Sequence, residues 1–184
     1  MAAIVLARRG ARVTAFDLSG GYLTEARRRA EANGVAVNFV QADGERLPFA
    51  DASFDRVWGN AILHHVDMRV AARELRRVLR PGGHAVFCEP WGGNPLLRWV
   101  RRSLPYQGKS RTADEEPLRL RHVQHLWRTF PNLRVQGFQF VSMPRRAMRP
   151  GRLRNALDSC DAILLQRAPS LQRFCRYVVL TLPR

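Results

Sequence analysis

Short β-like runs alternate with amphipathic helices through the first half of the chain. The apolar runs predict strands at Arg12–Phe16, Val37–Gln41, Arg56–Trp58 and His84–Cys88. Helices are predicted between them at Ala2–Arg9, from Ser19 to Asn33-Gly34, and at Arg69–Leu79. Because strands that alternate with helices pair in parallel, this order predicts an α/β fold whose sheet is covered on both faces.

Capping residues and glycines mark the ends of these helices. Ser19 is predicted to cap the second helix, because its hydroxyl can accept a backbone N–H of the first turn. Gly10 and Asn33-Gly34 are predicted to end the first two helices, and Pro81-Gly82-Gly83 predicts a turn. The buried face of the second helix is predicted to carry Tyr22, Leu23, Ala26 and Ala30.

The pattern is looser after Pro90. A short helix is predicted over Asn94–Leu104, with leucines and Trp99 on one face and arginines on the other, which makes it amphipathic enough to touch a membrane surface. The remaining segments are predicted as a loop at Pro105–Pro117, a helix at Leu120–Thr129, a strand at Arg134–Val141, a basic turn region at Pro144–Arg154, a helix broken near Pro169 at Ala156–Arg176, and a strand at Tyr177–Leu182.

Positive charge dominates the composition. There are 31 Lys+Arg against 15 Asp+Glu, a net charge of +16, and Lys109 is the single lysine. An arginine bias of this kind reflects a GC-rich genome as much as a binding site, so we discount it as evidence for nucleic acid. The favoured interpretation is solvated faces with arginine stems lying along apolar surface. A membrane surface, an anionic substrate and RNA are the alternatives.

A chain of 184 residues is long enough for one domain with a core and short for two. Cys88, Cys160 and Cys175 have unrelated spacings, which argues against a zinc site or a disulfide framework and suits a reducing cytosol. The apolar stretch Ala2–Ala7 is too short for a signal-peptide core, and no apolar run approaches the ~20 residues of a membrane span. We therefore expect a soluble cytoplasmic protein, with peripheral contact to an anionic membrane surface as an option.

Two acidic residues follow neighbouring predicted strands. Asp17 ends the first strand, where an acidic residue in nucleotide-binding α/β folds accepts hydrogen bonds from ribose hydroxyls. The alternative is a turn aspartate that caps the next helix. Asp43 lies 26 positions further on, one strand–helix–strand step, so both are predicted at the carboxyl edge of the sheet, where such folds bind ligands.

Four segments follow one another in a characteristic order: VTAFDLS (Val13–Ser19), VQADGERLPF (Val40–Phe49), SFDRVWGNAILHHV (Ser53–Val66) and LRRVLRPGGHAVFCEP (Leu75–Pro90). This order resembles the class I S-adenosylmethionine-dependent methyltransferases, most closely the small-molecule type 11 group. Leu47-Pro48-Phe49 followed by Ser53-Phe54-Asp55 is its most specific part. The resemblance implies a Rossmann-like sheet of strand order 3-2-1-4-5-7-6 whose last strand is antiparallel.

The resemblance also implies a first strand and a Gly-x-Gly-x-Gly loop ahead of the first helix, neither of which appears in this sequence. We therefore expect an N-terminally truncated fold with the first strand missing, in which strands 2 and 4 leave a gap or pair directly. Residues 1–184 are predicted to form a single methyltransferase domain. Residues 1–105 would be its cofactor-binding core, and residues 106–184 its substrate-side and C-terminal elements.

The resemblance assigns site residues as well. Asp43 would accept from the adenine amino group of S-adenosyl-L-methionine, and Gly44 would let the backbone approach the ring. The cofactor-binding residues implied are Asp17, Leu18, Ala42, Asp43, Gly44, Asn60 and Ala61. The residues implied on the substrate side are Glu89, Trp91 and Tyr106. No metal site is predicted, because the adjacent histidines have no carboxylate at a partner spacing.

His65 and His64 are the candidate catalytic residues. Methyl transfer needs a base only when the attacking nucleophile carries a proton, and imidazole titrates near neutrality. The alternative, that the two histidines cap or pack the following helix, is at least as well favoured. His122 and His125 lie one helical turn apart and are interpreted as packing or exposed residues.

The sequence thus predicts methyl transfer to a small acceptor that is hydrophobic or isoprenoid-like. A catalytically impaired remnant of such an enzyme is the alternative. RNA methylation and a nicotinamide-dependent dehydrogenase are less favoured, the latter because of the Leu47–Asp55 pattern. Nothing in the sequence indicates an oligomeric state.

Overall fold

The computed structural model describes residues 2–103 and 116–184. The substrate-side candidate Tyr106 therefore lies outside the described residues, and so does the predicted loop Pro105–Pro117 except for its last two residues. The helices are α1 (Ala2–Arg8), α2 (Gly20–Ala32), α3 (Met68–Val78), α4 (Pro95–Ser103), α5 (Leu120–Thr129) and α6 (Arg152–Arg167). The strands are β1 (Thr14–Asp17), β2 (Asn38–Gln41), β3 (Phe54–Asn60), β4 (Leu79–Pro90), β5 (Arg134–Phe138) and β6 (Tyr177–Pro183).

The chain divides into two compact units, Met1–Ala50 and Asp51–Arg184. The division lies at a different place from the predicted boundary at residue 105, and the single domain stays a prediction. The described residues of the second unit also form short 3-10 turns at Leu63–His65, Met143–Ala147 and Pro169–Phe174. In the part of the chain that the structure describes, no helix is both long and apolar enough to cross a membrane.

The first unit is a strand–helix–strand motif that follows α1. β1 pairs in parallel with β2, in a register that runs from Thr14 opposite Asn38 to Asp17 opposite Gln41. Ser19 caps α2 as predicted, since its Oγ accepts the Tyr22 N–H at 3.4 Å. Asn33 ends the same helix, again as predicted.

One residue of the predicted α2 face is misplaced. Leu23 and Ala30 are buried, but 72% of Tyr22 is exposed. Tyr22 lies about 100° around the helix from Leu23, so it sits at the margin of the apolar face. Its ring therefore stays in water.

The second unit contains a four-stranded sheet of order β3-β4-β6-β5. β3 and β4 are parallel, whereas β6 is antiparallel to both β4 and β5. The α/β fold class and the antiparallel last strand are thus confirmed. β1 and β2 form a sheet of their own in the first unit, and the arrangement of the strands on either side of the missing one stays a prediction.

One face of this sheet carries the core of the second unit. Alternate residues of β4 and β6 are buried, as the two-residue period of a strand requires. They pack under α3 and α5, which contact each other. The core members shared by these four elements are Ala72, Leu75, Leu79, Ala85, Phe87, Val123, Leu126, Val178, Leu180 and Leu182.

The turn predicted at Pro81-Gly82-Gly83 occurs inside β4 instead of before it. The pairing with β3 steps from Phe54–Leu79 to Arg56–His84, so three residues bulge out of an unbroken strand. Gly82 has φ +77°, which favours glycine. A strand with a bulge of this kind keeps its pairing while its local twist increases.

The predicted strand Arg134–Val141 ends early, at Phe138. Gln139 follows with φ +60°, which breaks the extended backbone. The buried carboxylate of Asp161 then accepts the N–H groups of Phe140 and Val141 at 3.0 and 2.6 Å. The helix predicted at Ala156–Arg176 begins earlier, at Arg152, and ends at Arg167 before the proline-led turn.

We expect Gly59→Ala to lower the free energy of unfolding by about 1–3 kcal/mol, the usual cost of overpacking a core. A Cβ built on Gly59 would clash with the ring of Phe87, which is buried. Urea denaturation followed by circular dichroism measures the loss. Gly21→Ala is the control, because a Cβ there has Ser19 Oγ at 3.7 Å as its nearest neighbour. Equal stability of the Gly59→Ala and Gly21→Ala variants would contradict the close approach.

Candidate active site

Asp17 closes β1 at the carboxyl edge of the first unit's sheet. Its Oδ1 accepts the Ser19 N–H at 2.8 Å, which forms the turn that leads into α2. Its Oδ2 has no hydrogen-bond partner within residues 2–103 and 116–184. Leu18, beside it, is 69% exposed. The turn role and the ribose role are therefore compatible, because each uses a different oxygen.

Asp43 follows β2 at the same edge. The Ala42 N–H donates to the Asp17 carbonyl at 3.1 Å, which continues the strand pairing up to Asp43. Asp43 Oδ1 accepts the Glu45 N–H at 2.9 Å, and Gly44 lies half-buried in the same turn. The neighbouring placement of Asp17 and Asp43 that the spacing predicts is confirmed within this unit.

The side chain of Gln41 joins the two loops that carry these aspartates. Its Nε2 donates to the Leu18 carbonyl at 3.0 Å. Its Oε1 lies 3.4 Å from a Cβ built on Gly20, so the amide stands over the first turn of α2. The sequence gives no signal of this contact, because Gln41 is simply a polar residue at the end of a strand.

The loop after β3 turns sharply. Asn60 is exposed and pairs with Cys88 at the carboxyl end of the strand. Ala61 has φ +53°, an uncommon value for a residue with a Cβ, and its N–H donates to the Cys88 carbonyl at 2.8 Å. Backbone strain of this kind costs about 1–3 kcal/mol and persists where the surroundings hold it.

Glu89 supplies the contacts that hold this loop. Its carboxylate is fully buried. Oε1 accepts the N–H groups of Ile62 and Leu63 at 2.8 and 3.0 Å. Oε2 lies 2.8 Å from Nδ1 of His64. All three partners belong to the loop. The buried side chain of Glu89 therefore fixes both the backbone of the loop and the imidazole of His64.

The two histidines differ in how they are held. The side chain of His64 is 10% exposed and bonded to Glu89, whereas His65 is exposed. Their ring centroids are 4.1 Å apart. An ionised carboxylate can only accept, so Glu89 keeps the proton of neutral His64 on Nδ1 and leaves Nε2 as an acceptor. The geometry thus prepares His64 to take up a proton.

The described substrate-side candidates are buried. Glu89 faces the loop, as described above, and presents no surface. Trp91 is 5% exposed, and its Nε1 donates to the Arg173 carbonyl at 3.0 Å. Both side chains position backbone segments in this structure. Sequence reasoning missed the role of Glu89, although an acidic residue on the buried face shared by Ala85 and Phe87 was the available signal.

Burial shifts the pKa of three further side chains, those of His122, Cys88 and Cys175. Burial, and next the charge of Arg121, lower the pKa of His122, whose Nδ1 accepts the Arg119 N–H at 3.2 Å. Burial, and next Glu89, raise the pKa of the Cys88 thiol. Burial raises the pKa of Cys175 to about 12, so both thiols stay protonated at neutral pH. No group of three or more metal-ligating side chains occurs among the described residues.

An open α/β arrangement with acidic residues at the carboxyl edge of parallel strands is typical of Rossmann-like proteins that bind nucleotides. A family model described as a methyltransferase domain matches residues 1–87. The chain is 34% identical over 153 residues to a ubiquinone/menaquinone biosynthesis C-methyltransferase of Bartonella tribocorum, covering 73% of this chain and 57% of that protein. It is 47% identical over 79 residues to a malonyl-[acyl-carrier protein] O-methyltransferase of Enterobacter lignolyticus. That match covers 42% of this chain and 30% of that protein.

Solved structures share the fold. An S-adenosylmethionine-dependent methyltransferase of Methanosarcina mazei gives a TM-score of 0.63 at 18% identity, covering 98% of this chain and 85% of that one. The [4+2]-cyclase SpnF gives a TM-score of 0.63 at 20% identity, and the match covers 99% of this chain and 69% of that one. The matches confirm the family predicted from the sequence: this is a chain of the class I S-adenosylmethionine-dependent methyltransferases. It spans little more than half the length of the first relative.

We expect Glu89→Ala to lower the free energy of unfolding by about 1–3 kcal/mol, because it leaves three donors of the loop after β3 without their buried acceptor. Glu89→Gln should cost less, since its amide oxygen still accepts from Ile62 and Leu63. Urea titration measures both variants. The control is Glu25→Gln, which removes an exposed pair with Arg29 and should leave the midpoint unchanged. An unchanged urea midpoint for Glu89→Ala would show that Glu89 does not stabilise the loop after β3.

Proposed function

We propose that this chain transfers the methyl group of S-adenosyl-L-methionine to a small, hydrophobic or isoprenoid-like acceptor. The observation that carries the proposal is the contact between His64, in the loop after β3, and Glu89 of β4. Family membership supports the reaction class. The fold alone does not, because a [4+2]-cyclase shares it.

The acidic edge of the first unit fits the nucleoside part of the cofactor. Asp17 Oδ2 would accept from the ribose hydroxyls while Oδ1 keeps the turn through Ser19. Asp43 would accept from the adenine amino group, and Leu18, Ala42 and Gly44 would border the base. Asn60 and Ala61, which belong to the second unit, are also proposed as cofactor-binding residues. The cofactor supplies a methyl group on a positively charged sulfur, so the residues around it position the reactants and exclude water.

His64 is the proposed general base. When the attacking atom of the acceptor carries a proton, Nε2 of His64 would accept it. Glu89, 2.8 Å from Nδ1, would then stabilise the imidazolium, as the third member of a catalytic triad does. His65 shares the loop and is the competing candidate for the same step.

The acceptor class is proposed from the chain's own apolar surface and its relatives. Leu96 and Trp99 of α4 are 65% and 62% exposed, which suits an apolar acceptor or peripheral contact with an anionic membrane. The relative that covers more of the chain is named for quinone biosynthesis, and the other for a carrier-bound malonyl group. A catalytically impaired remnant is the competing hypothesis.

We expect Asp17→Asn to weaken the binding of S-adenosylhomocysteine by about 1.5–3 kcal/mol, the scale of a hydrogen bond to a charged group. Asparagine keeps an oxygen for the Ser19 N–H and places an amide donor where the ribose needs an acceptor. Isothermal titration calorimetry on the chain measures the affinity. Asp51→Asn, an exposed partner of Arg77, is the control. Unchanged affinity would remove Asp17 from the site, and no binding by the parent chain would favour the remnant.

We expect His64→Gln to lower kcat by about 10²–10⁴, the usual contribution of general base catalysis, and to abolish the fall in kcat at acidic pH that protonation of the base would cause. Methyl transfer to short-chain quinols, followed by mass spectrometry, gives the rates. His65→Gln should act mainly on KM. The opposite result, with kcat dependent on His65 alone, would assign the proton transfer to His65.

A further inference from the structure

A cavity of about 540 Å³ opens on the second unit. Its lining residues are Gln139, Arg145, Arg154, Arg176 and Tyr177. Three of these five are arginines, against 31 Lys+Arg in the 184 residues of the chain. The cluster is therefore much denser in positive charge than the surface as a whole.

The three guanidinium groups are incompletely neutralised. Arg145 pairs with Asp158 at 3.2 Å. Arg154 and Arg176 have no carboxylate within ion-pair distance in the parts of the chain that are described, although each is partly buried. The nearby carboxylate of Asp161 is committed to the backbone of residues 140–142. Because a partly buried charge without a counter-ion is costly, the cavity favours an anion.

The cavity lies on the sheet edge that carries the histidine loop. Tyr177 pairs with Pro90 of β4 and with Phe138 of β5, at the carboxyl ends of both strands. Asn60, at the carboxyl end of β3, pairs with Cys88. β3 and β6 are separated only by β4, so the ends of these two strands lie roughly 10 Å apart along the same edge of the sheet. A small molecule can span that distance.

The sites differ in chemistry and complement each other. The histidine loop offers a proton acceptor, whereas the cavity offers the forked donors of Arg154 and Arg176, which match the two oxygens of a carboxylate or phosphate. The guanidinium of Arg176 stands 5.4 Å over the Tyr177 ring, which limits its freedom. Gln139 adds a side-chain amide to the lining.

We propose that this arginine cavity binds an oxyanion, a carboxylate or a phosphate, carried by the methyl acceptor. The inference deepens the proposed function and rests on it for the identity of the ligand as acceptor. An acceptor with an apolar body and one anionic group places its anion on Arg154 and Arg176 and its nucleophile towards the histidine loop. The reaction's substrate is then an organic acid or a phosphorylated compound.

Calorimetric titration of the chain with inorganic phosphate and, separately, with succinate tests the cavity without any turnover. We expect at least one of the two anions to bind, and the double variant Arg154→Gln/Arg176→Gln to weaken that binding more than tenfold. Stronger binding of phosphate or of succinate identifies the anion class. Arg134→Gln is the matched control, since Arg134 is an exposed arginine at the opposite end of β5.

Three results would overturn the cavity as an anion site: no binding of either anion, equal binding by the double variant, or an equal loss in Arg134→Gln. Circular dichroism melts of the variants separate lost binding from lost folding, and the single variants replace the double one if it unfolds. S-adenosylhomocysteine titration of the same samples reports on the proposed function independently. Anion binding without S-adenosylhomocysteine binding would overturn the acceptor assignment and leave the anion site standing.

Discussion

The buried carboxylate of Glu89 is the interaction on which the candidate active site of the second unit depends. It sits on the core-facing side of β4, where Ala85 and Phe87 precede it. Three donors of the loop after β3 satisfy it. A carboxylate in such a position is stable only when paired. Burial therefore forces the loop and the imidazole of His64 into one arrangement.

The pairing of the sheet also brings the parts of this arrangement together. Parallel pairing of β3 with β4 brings the ends of both strands to one edge, and Gly59 allows the ring of Phe87 to pass close to the backbone. Ala61 then adopts its left-handed conformation, held by the Cys88 carbonyl. Packing sets the position of the loop, and hydrogen bonds set its orientation.

Local patterns predicted the elements well. The cap at Ser19, helix α5 and the strands of the first unit follow from capping chemistry and from residue periods of 3.6 and 2. What depended on distant partners was missed. Tyr22 has an apolar ring at the margin of a face, Gln139 breaks a strand that its neighbours favour, and Glu89 meets His64 only through pairing of β3 with β4. Local signals leave the distant partners in these contacts undetermined.

The strand order of the second unit has a consequence for how the chain is made. β6 is synthesised after β4 and β5, yet it lies between them and supplies Val178, Leu180 and Leu182 to the core. On the ribosome, the edges of β4 and β5 that pair with β6 must therefore stay unpaired until residues 177–183 have emerged. The pairing of β6 with β4 and β5 is long-range, and in general such pairings slow folding and leave unpaired strand edges open to aggregation.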